Sequence, residues 1–241
     1  MARLICGLQP VREAIRAHGN KITKVEVEGV QGKQPQLDAL ARFATDQGIE
    51  VHRVDRAHLE KWTKGARHQG AACLAPDLEL LTLRDLPLEN ALLLALDELE
   101  DPQNFGAILR SSVALGATAV IWPEHRSAPL SPATFRASAG AVEHATLVKV
   151  GSLTQALAEL TAREVQVVGL DANGDARLDE IDLTVPTVLV VGAEGKGLRK
   201  PVKSACDRLA KLPMTRAIGS LNASVAAALA LYEARRQRHF E

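Results

Sequence analysis

Two stretches near the carboxyl end of the chain concentrate residues suited to holding a small molecule. Gly192-Ala-Glu-Gly-Lys-Gly-Leu198 follows the apolar run Thr187 to Val191, and Pro213-Met-Thr-Arg-Ala-Ile-Gly-Ser-Leu-Asn-Ala-Ser-Val225 follows the apolar run Leu209 to Leu212. Each run reads as a buried strand, so glycines, backbone amides and small polar side chains crowd two strand ends. In an open α/β sheet that is where ligands bind, because glycine lets them approach the main chain. Two common glycine-loop chemistries are excluded. A phosphate-binding P-loop needs Ser or Thr after Gly-Lys, but Gly197 and Leu198 follow Lys196. A dinucleotide fingerprint begun at Gly195 and Gly197 needs its third small residue where Lys200 stands. For this loop alone, a glycine-rich turn of purely structural use is the alternative.

A third element lies upstream. Asp101-Pro-Gln-Asn-Phe-Gly-Ala-Ile-Leu-Arg110 follows the strand-like run Ala91 to Leu96. Asn104 reads as the cap of a helix from Phe105 to Leu115, with Arg110 six residues further on.

These elements need a scaffold of alternating strands and helices. After Ala91 to Leu96 the pattern predicts strands at Thr118 to Trp122, Thr146 to Val150, Gln166 to Leu170, Thr187 to Val191 and Leu209 to Leu212. Between them it predicts helices at 105 to 115, 132 to 142 and 153 to 163, a short helix after Leu198, and a long last helix from about Asn222 to Arg238. Such alternation implies a mainly parallel sheet covered on both faces. The first 76 residues read as a separate small α/β unit: helix Gly7 to Ala17, strand Thr23 to Glu28, helix Leu37 to Thr45, strand Ile49 to Val54, helix Arg56 to Lys64 and strand Ala71 to Leu74. The expected division is therefore a domain at 1–76, a linker at 77–90 and a larger domain at 91–241.

Composition narrows the classes. The chain has 241 residues, 46% of them hydrophobic and 3% aromatic, so aliphatic side chains must fill its cores. No apolar run approaches the roughly eighteen residues of a membrane span, and the start Met-Ala-Arg-Leu-Ile-Cys-Gly has no long apolar core. A soluble cytoplasmic protein is expected, in keeping with three widely spaced cysteines, Cys6, Cys73 and Cys206. No His-x-x-x-His pair or Cys/His cluster suggests a metal site. The formal charge is zero, yet residues 1–76 hold 12 Lys and Arg against 8 Asp and Glu, and the remainder holds 17 against 21. A modestly basic module on an acidic body suits a nucleic-acid footprint and a solvated surface about equally.

Taken together, the Asn-Phe-Gly-x-x-x-Arg, Gly-Ala-Glu-Gly-x-Gly and Pro-Met…Ser-Leu-Asn-x-Ser-Val motifs, in this order, resemble those of the SpoU family of RNA ribose 2′-O-methyltransferases, in the SPOUT class. The resemblance covers nearly the whole chain and is nearest to the two-domain branch that methylates a guanosine of 23S ribosomal RNA. It implies a ribosomal-protein-like RNA-binding domain, including His68-Gln-Gly70, followed by a methyltransferase domain with a carboxyl-terminal trefoil knot. It implies S-adenosyl-L-methionine as cofactor, RNA as partner and a homodimer formed through the carboxyl-terminal domain.

Carried over residue by residue, the resemblance places Asn104, Arg110, Glu194, Ser220 and Asn222 at catalytic or site-organising positions. Gly192, Ala193, Gly195, Leu212, Met214 and Leu221 are the implied cofactor contacts. Arg126, Arg136, His68 and Gln69 are the implied RNA contacts. Because a guanidinium stays protonated, Arg110 is read as gripping the target phosphate rather than acting as a base. One departure concerns the third motif, where Arg216 stands two residues after Met214 in place of the family's glycine and Gly219 precedes Ser220. A transfer RNA enzyme, a catalytically silent RNA-binding or assembly factor, and a resistance methyltransferase are the competing readings.

Overall fold

The computed structural model describes residues 2–29, 32–215 and 219–239; Arg216, the departure noted above, lies outside them. In chain order the elements are β1 (Ala2–Cys6), α1 (Leu8–His18), β2 (Lys24–Glu28), α2 (Pro35–Asp46), β3 (Val51–Val54), α3 (Arg56–Trp62) and β4 (Ala71–Pro76). They continue with β5 (Leu80–Leu81), β6 (Leu92–Asp97), α4 (Pro102–Ala114), β7 (Ala119–Pro123), α5 (Pro132–Ala137), β8 (Leu147–Val150), α6 (Leu153–Ala162), β9 (Gln166–Leu170) and β10 (Ala176–Arg177). The chain closes with β11 (Thr187–Gly192), α7 (Lys200–Ser204), β12 (Arg208–Lys211) and α8 (Ala223–Gln237).

Two compact units result. The first comprises residues 1–79 and 132–144, the second 80–131 and 145–241. In the first, a four-stranded sheet of order β1-β4-β2-β3 pairs β2 with β3 in parallel and its other neighbours antiparallel. Val11, Ala14 and Ile15 of α1 and Leu37, Leu40 and Ala44 of α2 fill its core, each set recurring at helical spacing. The strand β1 was not anticipated; its five residues show no clean alternation, and pairing with β4 supplies what local sequence does not.

Residues 132–144 differ from the single helix expected there. The helix stops at Ala137, Ala139 and Gly140 turn with positive φ, and a 3-10 turn spans Ala141–His144. Packing explains the break: a Cβ at Gly140 would lie 2.9 Å from Pro10 Cα and 2.8 Å from Glu13 Cβ, so backbone meets α1 directly. The turn delivers Glu143, whose side chain is 1% exposed, to a two-pronged bond with Arg3 at 3.2 and 2.7 Å and to His18 Nε2 at 2.8 Å.

The second unit is built on eight parallel strands in the order β10-β12-β9-β11-β6-β7-β8-β5. Strands β6 and β11 are buried at every residue, which their unbroken apolar runs require of central parallel strands. The sheet runs outward from β6 through β7 and β8 on one side and from β11 through β9 on the other, so its order reverses between β6 and β11. That reversal sets the segments that follow these two strands side by side at their carboxyl ends.

The segment expected as a linker is packed into the second unit, with two of its residues in the sheet. Leu80 and Leu81 pair with Leu147 and Val148, Leu83 and Leu86 are buried, and Arg163 Nη1 donates to the Leu83 carbonyl at 2.6 Å. Repeated leucines bury enough surface to order a stretch in which the pattern shows no clear helix.

Candidate active site

Helix α4 begins one turn earlier than Asn104, and this corrects the expectation that Asn104 caps it. Asp101 is the cap, accepting from the Gln103 and Asn104 amides at 3.0 and 3.3 Å, and Pro102 occupies the first turn, where it loses no hydrogen bond. The Asn104 side chain is thereby released for another partner. Its Nδ2 donates to Glu194 Oε2 at 3.2 Å, while its Oδ1 accepts from Asn222 Nδ2 at 2.9 Å. Asn222 Nδ2 also reaches Glu194 Oε2 at 3.2 Å, closing a ring of three side chains drawn from the three motifs.

Asn222 has a second task. It caps α8, its Oδ1 accepting from the Ser224 amide at 2.9 Å and hydroxyl at 2.6 Å. The Glu194 carboxylate therefore sits beside the amino ends of α4 and α8, where the helix dipoles favour negative charge.

Beside this ring lies a cavity of about 420 Å³ at the ends of β9, β11 and β12. Gly192, Ala193, Glu194, Gly195, Leu212, Met214, Ser220 and Leu221 all line it, which brings the expected cofactor contacts together with two expected catalytic residues. Gly192 is required by close approach, since a Cβ there would overlap the Gly197 carbonyl group. Gly195 and Gly197 have φ of 74° and 64°, with open space where a side chain would stand.

Asp171, Asn173 and Lys203 also line the cavity and were not anticipated. Asp171 pairs with Lys203 and accepts from the Asn173 amide at 2.8 Å. Burial acts to raise its pKa, but the bonds from Lys203 and Asn173 outweigh it and hold the carboxyl below its ordinary value. The missing signal was topological: β9 neighbours both β11 and β12, so its carboxyl end opens on the cavity that their ends line.

The other candidates are dispersed. Arg110 is exposed on α4 and makes no hydrogen bond or ion pair with the ring residues. Arg126 is 70% exposed and pairs with Glu98 at 3.0 Å. Arg136 is exposed but lies in the first unit, apart in the chain's organisation from Arg110 and Arg126. His68 is 7% exposed and its Nδ1 accepts from the Gly70 amide at 3.0 Å, so it shapes a turn; the adjoining Gln69 is exposed with φ 49°. A concave surface in the same unit is lined by Arg56, Arg67, His68 and Gln69 together with Glu28 and Glu60. Among the described residues, no cluster of three His, Cys, Asp or Glu side chains is placed to hold a metal ion, and no helix is long and apolar enough to cross a membrane.

Comparison with known proteins agrees with this geometry. The profile described as the SpoU rRNA Methylase family matches residues 91–232, and that of RNA 2'-O ribose methyltransferase substrate binding matches residues 4–81. A protein of Mycobacterium ulcerans named as a tRNA/rRNA methyltransferase is 39% identical over 239 residues, spanning 97% of this chain and 77% of the relative. The SpoU methyltransferase AviRb from Streptomyces viridochromogenes, solved with S-adenosylmethionine, superposes with a TM-score of 0.79 at 27% identity, over 99% of this chain and 91% of its own. An rRNA methyltransferase from Sinorhizobium meliloti, also with that cofactor, gives 0.74 at 28% identity over 98% and 87%. A structure described by 2-OH methylation of C/U34 on tRNA gives 0.58 at 32% identity, over 63% of this chain and 99% of its own. The chain belongs to the SpoU family of RNA 2′-O-methyltransferases.

Proposed function

We propose that the protein methylates a ribose 2′-hydroxyl of ribosomal RNA, a guanosine of the 23S molecule being the reading nearest to its two-domain organisation. The observation that carries the proposal is the Asn104–Glu194–Asn222 ring at the edge of the glycine-lined cavity. The cavity fits S-adenosylmethionine: backbone and Leu212, Met214 and Leu221 offer apolar walls for a base, while Asp171, Glu194, Lys196 and Lys203 offer polar partners for its charged end. That cofactor supplies an activated methyl group carrying its own leaving group.

The chain's residues have the remaining work of placing the acceptor hydroxyl in line and managing its proton. Glu194, fixed by two amide side chains, holds the glycine loop against α4. Arg110, exposed and without a partner among the described residues, is free to take the phosphate beside the target ribose and to stabilise the oxygen as it becomes negative, leaving solvent or phosphate to accept the proton. Arg126, Arg136, Gln69 and Arg67 are offered to the RNA backbone, and His68 supports the turn that presents Gln69.

A ribosomal target is favoured because the small amino-terminal unit has a counterpart in the rRNA enzyme's structure, whereas the tRNA-related structure covers only 63% of this chain. A homodimer through α8 is favoured by its outward face: Val225, Leu229 and Tyr232 are 46%, 45% and 51% exposed and share an apolar groove with Ala107 and Leu115 of α4. A trefoil knot among the carboxyl-terminal strands is part of the same proposal.

The test is to incubate the protein with methyl-labelled cofactor and RNA from a strain lacking it, then map the label. Ribose methylation at one 23S position is the expected result. Label on a base, or on transfer RNA alone, would overturn it.

A further inference from the structure

Asp97, the last residue of β6, is 0% exposed, and no step assigned above employs it. Its partner is Arg199, the residue that follows the glycine loop. The Arg199 amide donates to Asp97 Oδ2 at 2.8 Å and its Nε to Oδ1 at 2.7 Å. Asp97 also lies opposite Gly192 in the pairing of β6 with β11. Entry to and exit from the loop therefore return to one residue: the sheet register fixes Gly192, and the buried carboxylate fixes Arg199.

Between these anchors the loop is tied at Glu194, which accepts from Asn104 and Asn222, and by one backbone bond. Gly197 N donates to the Ala193 carbonyl at 2.8 Å and Leu198 is 3% exposed, but residues 194–197 are exposed. Asp97 stands four residues before Asp101, the cap that starts α4 and sets the direction of Asn104. One carboxylate thus references both halves of the ring, the loop carrying Glu194 and the helix carrying Asn104. Arg199 Nη1 reaches further, to Glu98 Oε1 at 3.2 Å, and the same oxygen takes Arg126 Nη1 at 3.0 Å.

We infer that Arg199 is a positioning residue for methyl transfer: by closing on Asp97 it sets where Glu194 stands against Asn104 and Asn222. The inference rests on the reading of that ring as the methyltransferase centre. Neither guanidinium nor carboxylate needs to touch substrate. The pair acts by removing alternative placements of the loop, and a misplacement of about 1 Å at such a centre costs roughly a hundredfold in rate.

The experiment compares the full chain with Arg199→Ala, Arg199→Lys, Glu194→Gln and the double variant Arg199→Ala/Glu194→Gln. Single-turnover methyl transfer is measured at saturating S-adenosylmethionine and RNA, well below each variant's melting temperature, and amide hydrogen exchange is followed over residues 193–198. Arg199→Ala should be roughly 10- to 100-fold slower, and Arg199→Lys should recover part of the loss, since an ammonium still meets Asp97 without the planar fork. The double variant should be no slower than Glu194→Gln alone, because Arg199 works through Glu194. Exchange should quicken in residues 193–198 of Arg199→Ala and stay unchanged in β6 and β11. Multiplying losses in the double variant, or wild-type protection of the loop in Arg199→Ala, would overturn the inference. Failure of the wild type to methylate RNA would instead defeat the reading of the centre, with the exchange data still deciding whether Arg199 orders the loop.

Discussion

Asn222 Nδ2 lies 2.9 Å from Asn104 Oδ1, joining residues 118 positions apart in the chain. This bond ties the start of α8 to the start of α4, and the same Asn222 side chain caps its own helix. Asn222→Ala should therefore show two separable effects: a loss of about 1 kcal/mol in stability from the missing cap, and a larger loss in methyl transfer. Asn104→Ala, which removes no cap, should lose transfer with little change in melting temperature. Equal rate losses and equal melting shifts in the two variants would show that the ring is only structural.

Glycines 192 and 195 should respond differently to a single methyl group. Gly192→Ala forces a Cβ into the Gly197 carbonyl and should abolish cofactor binding in calorimetry. Gly195→Ala meets open space and bears only the strain of φ 74°, so binding should weaken by less. Gly195→Val adds branching at that backbone angle and should bind more weakly than Gly195→Ala, with far-UV spectra unchanged.

Arg110 carries the kinetic prediction. Losing a preorganised donor typically lowers the chemical step by about a hundredfold or more. Arg110→Ala and Arg110→Lys should both bind cofactor normally and lose most single-turnover transfer, because lysine lacks the fork that grips phosphate on two sides. Near-normal transfer by Arg110→Lys would reduce the role to charge alone, and by Arg110→Ala would remove the residue from the mechanism.

The Asp171–Lys203 pair makes stability depend on pH. A carboxyl held below its ordinary value in the folded state stabilises fully above the unfolded value, about 3.9, and loses that contribution as pH falls through the folded value. The melting-temperature gap between wild type and Asp171→Asn should be constant from about pH 6 to pH 8 and should close as the pH drops below about 4. A gap that widens in acid would contradict the pairing.

Glu143 makes the first unit depend on residues that a sequence-drawn boundary assigns elsewhere. Breaking a buried pair by deleting one partner costs about 3–5 kcal/mol, so Arg3→Ala should unfold the first unit at markedly lower denaturant. A fragment 91–241 should be poorly stable, since it strips Leu81, Leu83 and Leu86 from the sheet edge and leaves Glu143 without Arg3 and His18. A fragment beginning at Leu80 retains that edge and should melt higher by calorimetry.

Much of the centre was legible because the first two motifs follow buried apolar strands and the third a short strand, and strand ends in a parallel sheet share one rim. Glu194, Asn104 and Asn222 could be named from the resemblance, but their ring could not: it exists because Asp101 takes over the capping that local sequence offered to Asn104. Asp97, Asp171, Lys203 and Arg199 escaped notice because their partners are set by strand order, which periodicity does not encode. The break after Ala137 was hidden for a related reason, since what requires Gly140 is its close approach to Pro10 and Glu13 of α1.

The first unit is discontinuous in the chain, its residues 1–79 separated from 132–144 by 52 residues of the second. A ribosome adding about 5–20 residues per second reaches Glu143 several seconds after His18 has emerged. Through that interval Arg3 and His18 lack Glu143. The first unit is therefore finished by residues that follow 52 residues of the second, so a nascent chain cannot complete the first unit before part of the second has been made.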